Sequence, residues 1–199
     1  ETGMQVESGD VVVVKGKTVV PEEKKVYLAF NKPRGIVCTA EKREKNNVID
    51  YLSYPVRIYP VGRLDKDSEG LLLMTNDGAI VNGIMRARNR HEKEYQVEVN
   101  KEITPEFLKE MASGVPILDT VTRPCRIQKT GERSFTIILT QGLNRQIRRM
   151  CEALGYRVTK LKRVRIMNIH LKDLKTGEYR PLTEKELAEL KKQIGEEKR

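Results

Sequence analysis

The sequence predicts an α+β domain built on a largely antiparallel sheet, rather than a doubly wound α/β fold. Short apolar or alternating segments of strand length outnumber the amphipathic segments of helix length. Neighbouring strand segments such as 122–129 and 134–140 are separated by a few turn residues, which is typical of hairpins. Only a few helical segments are interposed, so the regular alternation of strand and helix that builds a parallel sheet is missing.

Length and composition bound the class of protein. The chain has 199 residues, of which 38% are hydrophobic and 33% charged, and this is enough to bury one sizeable core. Its longest apolar runs, 11–14 and 71–74, are far too short to span a bilayer, and the N-terminus lacks the apolar stretch of a secretory signal. We therefore expect a soluble cytoplasmic protein that makes no membrane contact. Cys38, Cys125 and Cys151 lie too far apart for a disulfide framework or a metal site, and they should pack as small hydrophobes.

The net charge of +10 is concentrated in one segment. Residues 144–165 contain eight Lys or Arg residues against one acid, Glu152, which is a net +7. Such a concentration favours a polyanionic partner, because Lys and Arg that contact phosphates release counterions. A solvated basic face without a ligand is the alternative, and charge alone does not separate the two.

The N-terminal residues 1–24 are predicted as a small separate unit ahead of a main domain at 25–199. Valines alternate with polar residues over 4–20 and turn residues lie between them, which predicts a hairpin followed by a short charged linker. In the first half of the main domain, Asn47 is placed to cap a short helix, and an amphipathic helix follows Asp77. The other segments predicted there are strands at 26–30, 36–39, 57–61 and 94–99, with turn residues at 31–35.

The second half of the main domain carries clear helix boundaries. Thr104 is a typical N-cap, Pro105 fits the first helical position, and Gly114 ends that helix. A later helix, closed by Gly155, follows a Gly-Leu-Asn turn and places an apolar stripe inward. The residues of that stripe are Ile147, Met150, Cys151 and Leu154. The remaining predicted elements are strands at 157–161 and 164–171 and a last helix opened by the capping box 183–186.

Three polar segments are candidates for chemistry on the residues alone. Asp65 follows a strand segment, so its carboxylate lies either at the mouth of a sheet or in a turn that it caps itself. Tyr95 is either a site residue or an ordinary strand aromatic. The basic residues at 145–149 open a helix, where the positive end of the dipole requires an anion nearby. His91 and His170 have no partner at ligand spacing and no nucleotide-binding motif is present, so we expect neither a metal nor a nucleotide cofactor.

Four segments carry a recognisable pattern: Gly-Arg-Leu-Asp with Ser-x-Gly-Leu-Leu-Leu-x-Thr-Asn-Asp-Gly at 62–78, His-Glu-Lys-Glu-Tyr at 91–95, Gln-Gly-Leu-Asn-Arg-Gln-Ile-Arg-Arg-Met at 141–150, and Leu-Lys-Arg-Val-Arg-Ile-Met at 161–167. Together they resemble the motifs of the RsuA/RluF-type ribosomal RNA pseudouridine synthases. Residues 62–78 resemble the catalytic motif in which the Asp is essential. Residues 91–95 resemble the second motif, whose tyrosine packs on the target base. Residues 141–150 resemble the motif Gly-x-x-Arg-Gln-Ile-Arg-Arg-Met, whose Arg after Gln-Ile lies against the catalytic Asp. Residues 161–167 resemble a strand that walls the pocket, and the resemblance, which covers about 25–190, is nearest to the RluF branch.

The resemblance implies a pseudouridine synthase fold, in which a long bent mixed sheet is flanked by helices and crossed by an active-site cleft. It also implies cofactor-independent conversion of a uridine in ribosomal RNA to pseudouridine. Asp65 would act either as a nucleophile or as the stabiliser of a glycal-type intermediate. Tyr95 would stack on the flipped uracil, and Arg148 would hold Asp65 as an anion within the cleft.

The resemblance further implies a ribosomal RNA partner, either a stem-loop or pre-ribosomal large-subunit RNA, bound by a monomer. Arg63 is the candidate for filling the space that the flipped base leaves. The hairpin within 1–24 resembles the last strands of an S4 RNA-binding domain, whose helical part this sequence lacks. The other residues predicted to contact RNA are Lys93, Arg145, Arg149, Arg157, Lys160, Arg163 and Arg165.

Two other classes of function remain open at this level. One is a non-catalytic RNA-binding or ribosome-assembly protein that uses the same basic surface. The other is a nuclease or a base-modifying hydrolase, which needs metal ligands or a cofactor motif that the sequence does not contain.

Overall fold

The computed structural model describes residues 24–196 and, ahead of them, two short strands. The strands are β1 (Val12–Val14), β2 (Lys17–Val19), β3 (Tyr27–Lys32), β4 (Tyr59–Pro60), β5 (Glu69–Thr75), β6 (Lys93–Val99), β7 (Pro116–Ile117), β8 (Thr120–Val121), β9 (Arg126–Gly131), β10 (Ser134–Leu139), β11 (Val158–Ile166), β12 (Ile169–His170) and β13 (Tyr179–Pro181). The helices are α1 (Val48–Leu52), α2 (Gly78–Arg86), α3 (Pro105–Ser113), α4 (Gln146–Ala153) and α5 (Glu184–Glu196).

A nine-stranded sheet dominates the main domain, with the path β13-β3-β5-β11-β6-β10-β9. Strand β4 pairs with β5 and β12 with β11 beside that path. The pairings within this sheet are antiparallel except for β5 with β11, which run parallel. This mixed, mostly antiparallel sheet with flanking helices confirms the predicted α+β class.

Both faces of the central strand β5 are covered, because its side chains alternate between two cores. Leu71 and Leu73 pack with helices α2 and α5, whereas Leu72 and Met74 pack with helix α1. A third core lies under helices α3 and α4 against strands β6, β10 and β11. The apolar stripe predicted for α4 is confirmed, since Ile147, Met150 and Cys151 are buried there and Leu154 packs against them.

The predicted helix caps are confirmed at three helices. The Asn47 side chain accepts the backbone N–H of Asp50 at 2.8 Å, and the Thr104 hydroxyl accepts that of Phe107 at 3.1 Å. Thr183 and Glu186 form both halves of the capping box, with bonds of 3.0 and 2.8 Å. Each cap satisfies N–H groups that the first helical turn leaves without partners.

The N-terminal prediction is tested only in part. Strands β1 and β2 pair antiparallel with Val12 opposite Val19, which confirms a hairpin at this point. The rest of the predicted unit, 1–11, 15–16 and 20–23, lies outside the described residues, as does the chain end at 197–199.

Three segments differ from the sequence prediction. Residues 36–39, predicted as a strand, form only an isolated bridge between Val37 and Asn47. The two strands predicted over 157–171 form one long strand, β11, because 162–163 continue the ladder with β6, and only 169–170 turn back as β12. Residues 31–32, predicted as a turn, continue β3 instead, and there Lys32 pairs with Gly70 of β5.

Within the described part of the chain no helix is long and apolar enough to cross a membrane. Cys38 and Cys151 are buried and Cys125 is partly buried, as expected for small hydrophobes.

Gly70 sets the distance between the two parallel strands. It lies in β5 with φ +107°, opposite Arg163 of β11. A Cβ at this position would collide with the backbone oxygen of Arg163 and lie 2.7 Å from its nitrogen. The close approach therefore requires a residue without a side chain.

Gly70→Ala should lower the free energy of unfolding by more than about 3 kcal/mol, because a backbone collision adds to the strain of positive φ. Gly35→Ala is the matched control, since Gly35 also has positive φ (+90°) but has nothing within 4 Å of an added Cβ. It should cost about 1 kcal/mol. Urea unfolding of both variants tests this, and equal losses would show that the β5–β11 contact adjusts freely.

Candidate active site

The loop between β4 and β5 carries the predicted carboxylate and is held firmly at its base. The Sγ of Cys38 donates to the backbone oxygen of Leu64 at 3.2 Å and accepts the N–H of Leu64 at 3.4 Å. The N–H of Gly35 donates to the oxygen of Lys66 at 2.7 Å. Asp65 therefore lies between two anchored neighbours, so its backbone has little freedom to move.

Lys32 supports this loop from inside the protein. Its side chain is fully buried, and its Nζ donates to the backbone oxygens of Pro33 and Ile36 at 2.8 and 2.7 Å. Burial lowers the pKa of Lys32, while nearby acids, including Asp67 and Asp65, act in the opposite direction. The ammonium group thus fixes the segment that anchors the loop.

One guanidinium contacts both carboxylates of the loop. Arg145 forms a two-pronged ion pair with Asp67, at 3.0 Å from Nη1 to Oδ1 and 2.9 Å from Nη2 to Oδ2. The same Nη1 lies 3.3 Å from Oδ2 of Asp65. The hydrogen bond from Arg145 is the main cause that lowers the pKa of Asp67, and the same bond raises the pKa of Arg145. Asp65 is therefore placed beside a cation that Asp67 keeps in position.

The prediction that Arg148 lies against Asp65 names the wrong partner, because Arg148 contacts Asp67 and Ser68 instead. Arg148 is buried in helix α4, and its Nη2 donates to the backbone oxygen of Asp67 and the hydroxyl of Ser68, both at 3.0 Å. Its Nη1 lies 3.5 Å from Oδ2 of Asp67. Arg145 reaches Asp65 instead because it caps α4 in the left-handed conformation (φ 48°), which turns its side chain toward the loop.

A cavity of about 530 Å³ opens beside Asp65, within the usual size range for small-ligand sites. Tyr95 of β6 lines it together with Asp65, as expected for a pair that works on one substrate. The apolar part of the wall includes Leu139 of β10 and Leu161 and Ile166 of β11, the two strands on either side of β6. The pocket thus combines the Asp65 carboxylate, the Tyr95 ring and an apolar floor, and Glu92 and His91 also line it.

Four of the residues predicted to contact RNA line the same cavity: Arg63, Lys93, Arg145 and Arg163. Lys93 lies two residues before Tyr95 on β6, and Arg163 lies opposite Tyr95 on β11. Arg163 is buried, with 7% of its surface exposed, and its Nε donates to the backbone oxygen of Leu71 at 2.9 Å. Arg163 therefore lines the pocket and is not on the exposed surface, and its predicted contact with RNA stays a prediction.

Arg63 and the predicted RNA contacts outside the cavity have different surroundings. Arg63 is exposed and lines the cavity, and Arg157 and Lys160 are exposed near the start of β11. Arg149 is partly buried and donates to Asn144 at 3.0 and 2.9 Å. Arg165 is held by two carboxylates, with bonds of 3.0 Å to Glu92 and 3.1 Å to Glu94. Arg165 is therefore a weak candidate for a phosphate contact, contrary to the prediction.

Among the described residues no group of His, Cys, Asp or Glu is arranged to hold a metal ion. The arrangement offers the carboxylate of Asp65 at a partly enclosed pocket, with the guanidinium of Arg145 beside it and the Tyr95 ring within the same cavity.

The RNA pseudouridylate synthase family model matches residues 26–153, which contain this carboxylate loop, strand β6 and helix α4. The chain belongs to that family. It is 54% identical to the dual-specificity RNA pseudouridine synthase RluF of Salmonella typhi, over 96% of this chain and 67% of that protein. It is 36% identical to ribosomal large subunit pseudouridine synthase B of Bacillus subtilis, over 96% of this chain and 81% of that protein.

The structure agrees with this membership. A crystal structure of a pseudouridylate synthase matches with a TM-score of 0.77 and 28% identity, covering 96% of this chain and 84% of that one. The predictions that the chain has a pseudouridine synthase fold and is an RNA pseudouridine synthase are therefore confirmed.

Two residues of this pseudouridine synthase site escaped the sequence reasoning. The sequence predicts no role for Asp67, and it predicts Lys32 only as a turn residue within 31–35. A signal for Asp67 was present, since two carboxylates at i and i+2 faced a helix start with Arg at 145, 148 and 149. No signal marked Lys32, because its burial depends on strand pairing that the sequence does not display.

Arg145→Lys should lower the single-turnover rate at saturating enzyme about tenfold, because an ammonium group cannot bridge Asp65 and Asp67 with a planar fork. Asp67→Asn should cause a similar loss by releasing the guanidinium from its second anchor. Rapid-quench measurements on the two single variants and the double variant test whether they act as a unit. The double variant should lose no more than the larger single loss, whereas losses that multiply would show independent roles.

Proposed function

We propose that this chain converts a uridine of ribosomal RNA, in the large subunit, to pseudouridine, with Asp65 as the essential carboxylate and without a cofactor. The observation that carries the proposal is the position of Asp65, which borders the pocket that Tyr95 lines and lies 3.3 Å from Arg145. The names of two relatives support the substrate class, since one is an RNA pseudouridine synthase and one acts on the ribosomal large subunit. We further propose that it acts as a monomer in the cytoplasm, because one chain supplies every residue of the site.

The chemistry of the reaction fits this set of residues. The C1′–N1 glycosidic bond breaks, the uracil turns, and a C1′–C5 bond forms, so the change needs no oxidant and no energy source. Asp65 acts on the ribose or base as a nucleophile, or it stabilises and deprotonates a glycal-type intermediate. Arg145 holds Asp65 in place, and Arg148 secures the loop through Asp67 and Ser68.

Tyr95 and Arg63 serve the target base in this proposal. A uridine in folded RNA must leave its stack to reach a carboxylate, and an aromatic face in the pocket can receive it. Tyr95 lines the cavity on the sheet side and is suited to stack on the uracil. Arg63 is exposed at the edge of the same cavity, where a long cationic side chain can occupy the space vacated in the RNA.

The RNA chain itself would be held by exposed cations outside the pocket. Arg157 and Lys160 are the best placed of the predicted set, because both are exposed and neither forms an ion pair within the described residues. The hairpin of β1 and β2 is proposed as the end of an S4-like RNA-binding module in the unit 1–24.

Asp65→Asn should abolish isomerisation and leave RNA affinity within about twofold, because the amide keeps the shape of the side chain and loses its charge. Chemical mapping of pseudouridine in ribosomal RNA, together with filter binding, measures both quantities. The control is Asp173→Asn, which changes an exposed acid far along the sequence from the site and should remain active.

Retained turnover in the Asp65→Asn protein contradicts the assignment. Wild-type binding without any pseudouridine would favour the non-catalytic class, and strand cleavage would favour the nuclease.

Arg157→Ala and Lys160→Ala should each weaken RNA binding and reduce the slope of log K against log salt by about 0.7 to 0.9, which is the release of one counterion. The single-turnover rate at saturation should stay at the wild-type level. Lys109→Ala, an exposed change on α3 outside the basic segment, is the control. An unchanged salt slope in both variants would remove these residues from the RNA-binding surface.

A further inference from the structure

One buried and one partly buried cation, Arg163 and Lys93, line the pocket without forming an ion pair among the described residues. Arg163 uses its Nε on the backbone oxygen of Leu71 and forms no ion pair within the described residues. Lys93 donates from Nζ to the backbone oxygen of Arg88 at 2.6 Å and likewise forms no ion pair with a described residue. Both face the cavity that Asp65 and Tyr95 border.

The acids that could neutralise these cations are engaged elsewhere. Glu92 and Glu94 flank Lys93 in sequence, but they pair with Arg165, and Glu92 also pairs with Arg126. Keeping a cation out of water without a counter-charge is costly, so such groups in a pocket indicate a ligand that carries negative charge. Asp65 does not fill this role, because its ion-pair partner is Arg145.

Lys93 shows the cost of this arrangement directly. Burial, reinforced by the positive charges of Arg163, Arg88 and Arg123, lowers the pKa of Lys93 to about 8. These charges reach Lys93 from strand β11, from the end of helix α2 and from the segment before β9, so the pocket is electropositive on several sides. An anion placed among them would stabilise the charged forms of both side chains.

The proposed reaction itself produces an anion inside the pocket. When the C1′–N1 bond breaks, its electron pair leaves with N1, and the detached uracil carries a negative charge spread over N1, O2 and O4. We propose that Arg163 and Lys93 bind this uracil anion by donating hydrogen bonds to its carbonyl oxygens, which makes them catalytic residues. The inference rests on the proposed function of Asp65. Asp65 compensates the positive charge that develops on the ribose, and the inference assigns the residues that compensate the negative charge on the uracil.

The atoms and charges balance in this scheme. Asp65 compensates the electron-poor ribose, covalently or by stabilising the glycal-type intermediate, while the two cations compensate the uracil. The uracil then turns and C5 forms the new bond to C1′. C5 loses its proton and N1 gains one, so the product is neutral and the cations are released from their partner. Such fixed charges assist most where charge develops in the transition state.

A phosphate of the RNA backbone is the competing ligand for these cations. It is disfavoured because Arg163 is 7% exposed and lies opposite Tyr95 on the pocket floor. A base that stacks on Tyr95 comes closer to this position than its own backbone does.

The test measures Arg163→Gln and Lys93→Gln by single turnover at saturating enzyme, on RNA with uridine or with 5-fluorouridine at the target position. Fluorine withdraws electrons and stabilises the uracil anion, so cleavage of the C1′–N1 bond depends less on the enzyme's cations. Because C5 of 5-fluorouridine carries no proton to lose, the rate measured on both RNAs is the loss of the C1′–N1 bond. Each variant should lose about a hundredfold on uridine. The loss on 5-fluorouridine should be at least tenfold smaller, and this difference is one that a purely structural role would not produce.

Matched controls remove the same side-chain charges outside the pocket. The controls are Arg133→Gln and Lys129→Gln. Arg133 lies in the exposed turn after β9, and Lys129 lies on β9. Both should behave as wild type with either RNA. Lys93→Arg keeps the charge and should recover part of the lost rate. Thermal unfolding identifies a variant that fails to fold, and because Lys93 is only partly buried, its variants test the proposal even if Arg163→Gln unfolds.

Three outcomes would overturn the inference while the wild-type enzyme stays active and Asp65→Asn is inactive. Equal losses on the two RNAs would make the residues structural. A normal saturated rate with weaker binding and a flatter salt slope would make them phosphate contacts. A normal rate with normal binding would leave them without a role. Absence of pseudouridine in the wild-type reaction would instead contradict the proposed function itself.

Discussion

The parallel contact between β5 and β11 is the constraint on which the site depends. It joins the part of the sheet that holds β3 and β5 to the part that holds β6, β9 and β10. The contact is short, with Lys162 opposite Glu69 and Arg163 opposite Gly70, and it is possible because Gly70 has no side chain. The carboxylate loop ends directly before β5, so this contact places Asp65 beside the pocket floor formed by β11 and β6.

The charges of the site are arranged as two separate groups. In the first, Arg145 and Arg148 hold the loop through Asp67, and Arg145 reaches Asp65. In the second, Lys93 and Arg163 face the cavity, and among the described residues their hydrogen bonds go to backbone oxygens. The first group is neutralised within the protein, and therefore it fixes geometry. The second group is not, and therefore it is available to a charged ligand.

Arginines that are close in sequence differ in role because some are neutralised by acids within the protein and others are not. Arg163 and Arg165 lie two residues apart on β11, yet Arg165 is held by Glu92 and Glu94 whereas Arg163 has no acidic partner. The register shift of β11 against β6 between these two residues places them against different neighbours. The total charge of the basic segment therefore overstates its capacity for phosphate, because part of that charge is neutralised internally and part faces the pocket.

Much of the fold could be predicted from the sequence because its signals are local. The caps at Asn47, Thr104 and Thr183 depend on hydrogen bonds within a few residues, and the stripe on α4 follows from helical spacing alone. The same holds for Asp65 and Tyr95 as members of the site, since each is carried by a contiguous motif.

The sequence by itself thus determined the family, the fold class and the two residues that border the pocket. Only the tertiary structure decided which arginine meets Asp65 and which cations are buried. Arg145 lies 78 residues from Asp67 and Arg163 lies 92 residues from Leu71, so these pairings depend on strand order and register. The sequence shows which residues are charged. Which charged groups pair depends on contacts of about 3 Å, and these form only once the strands of the sheet have paired.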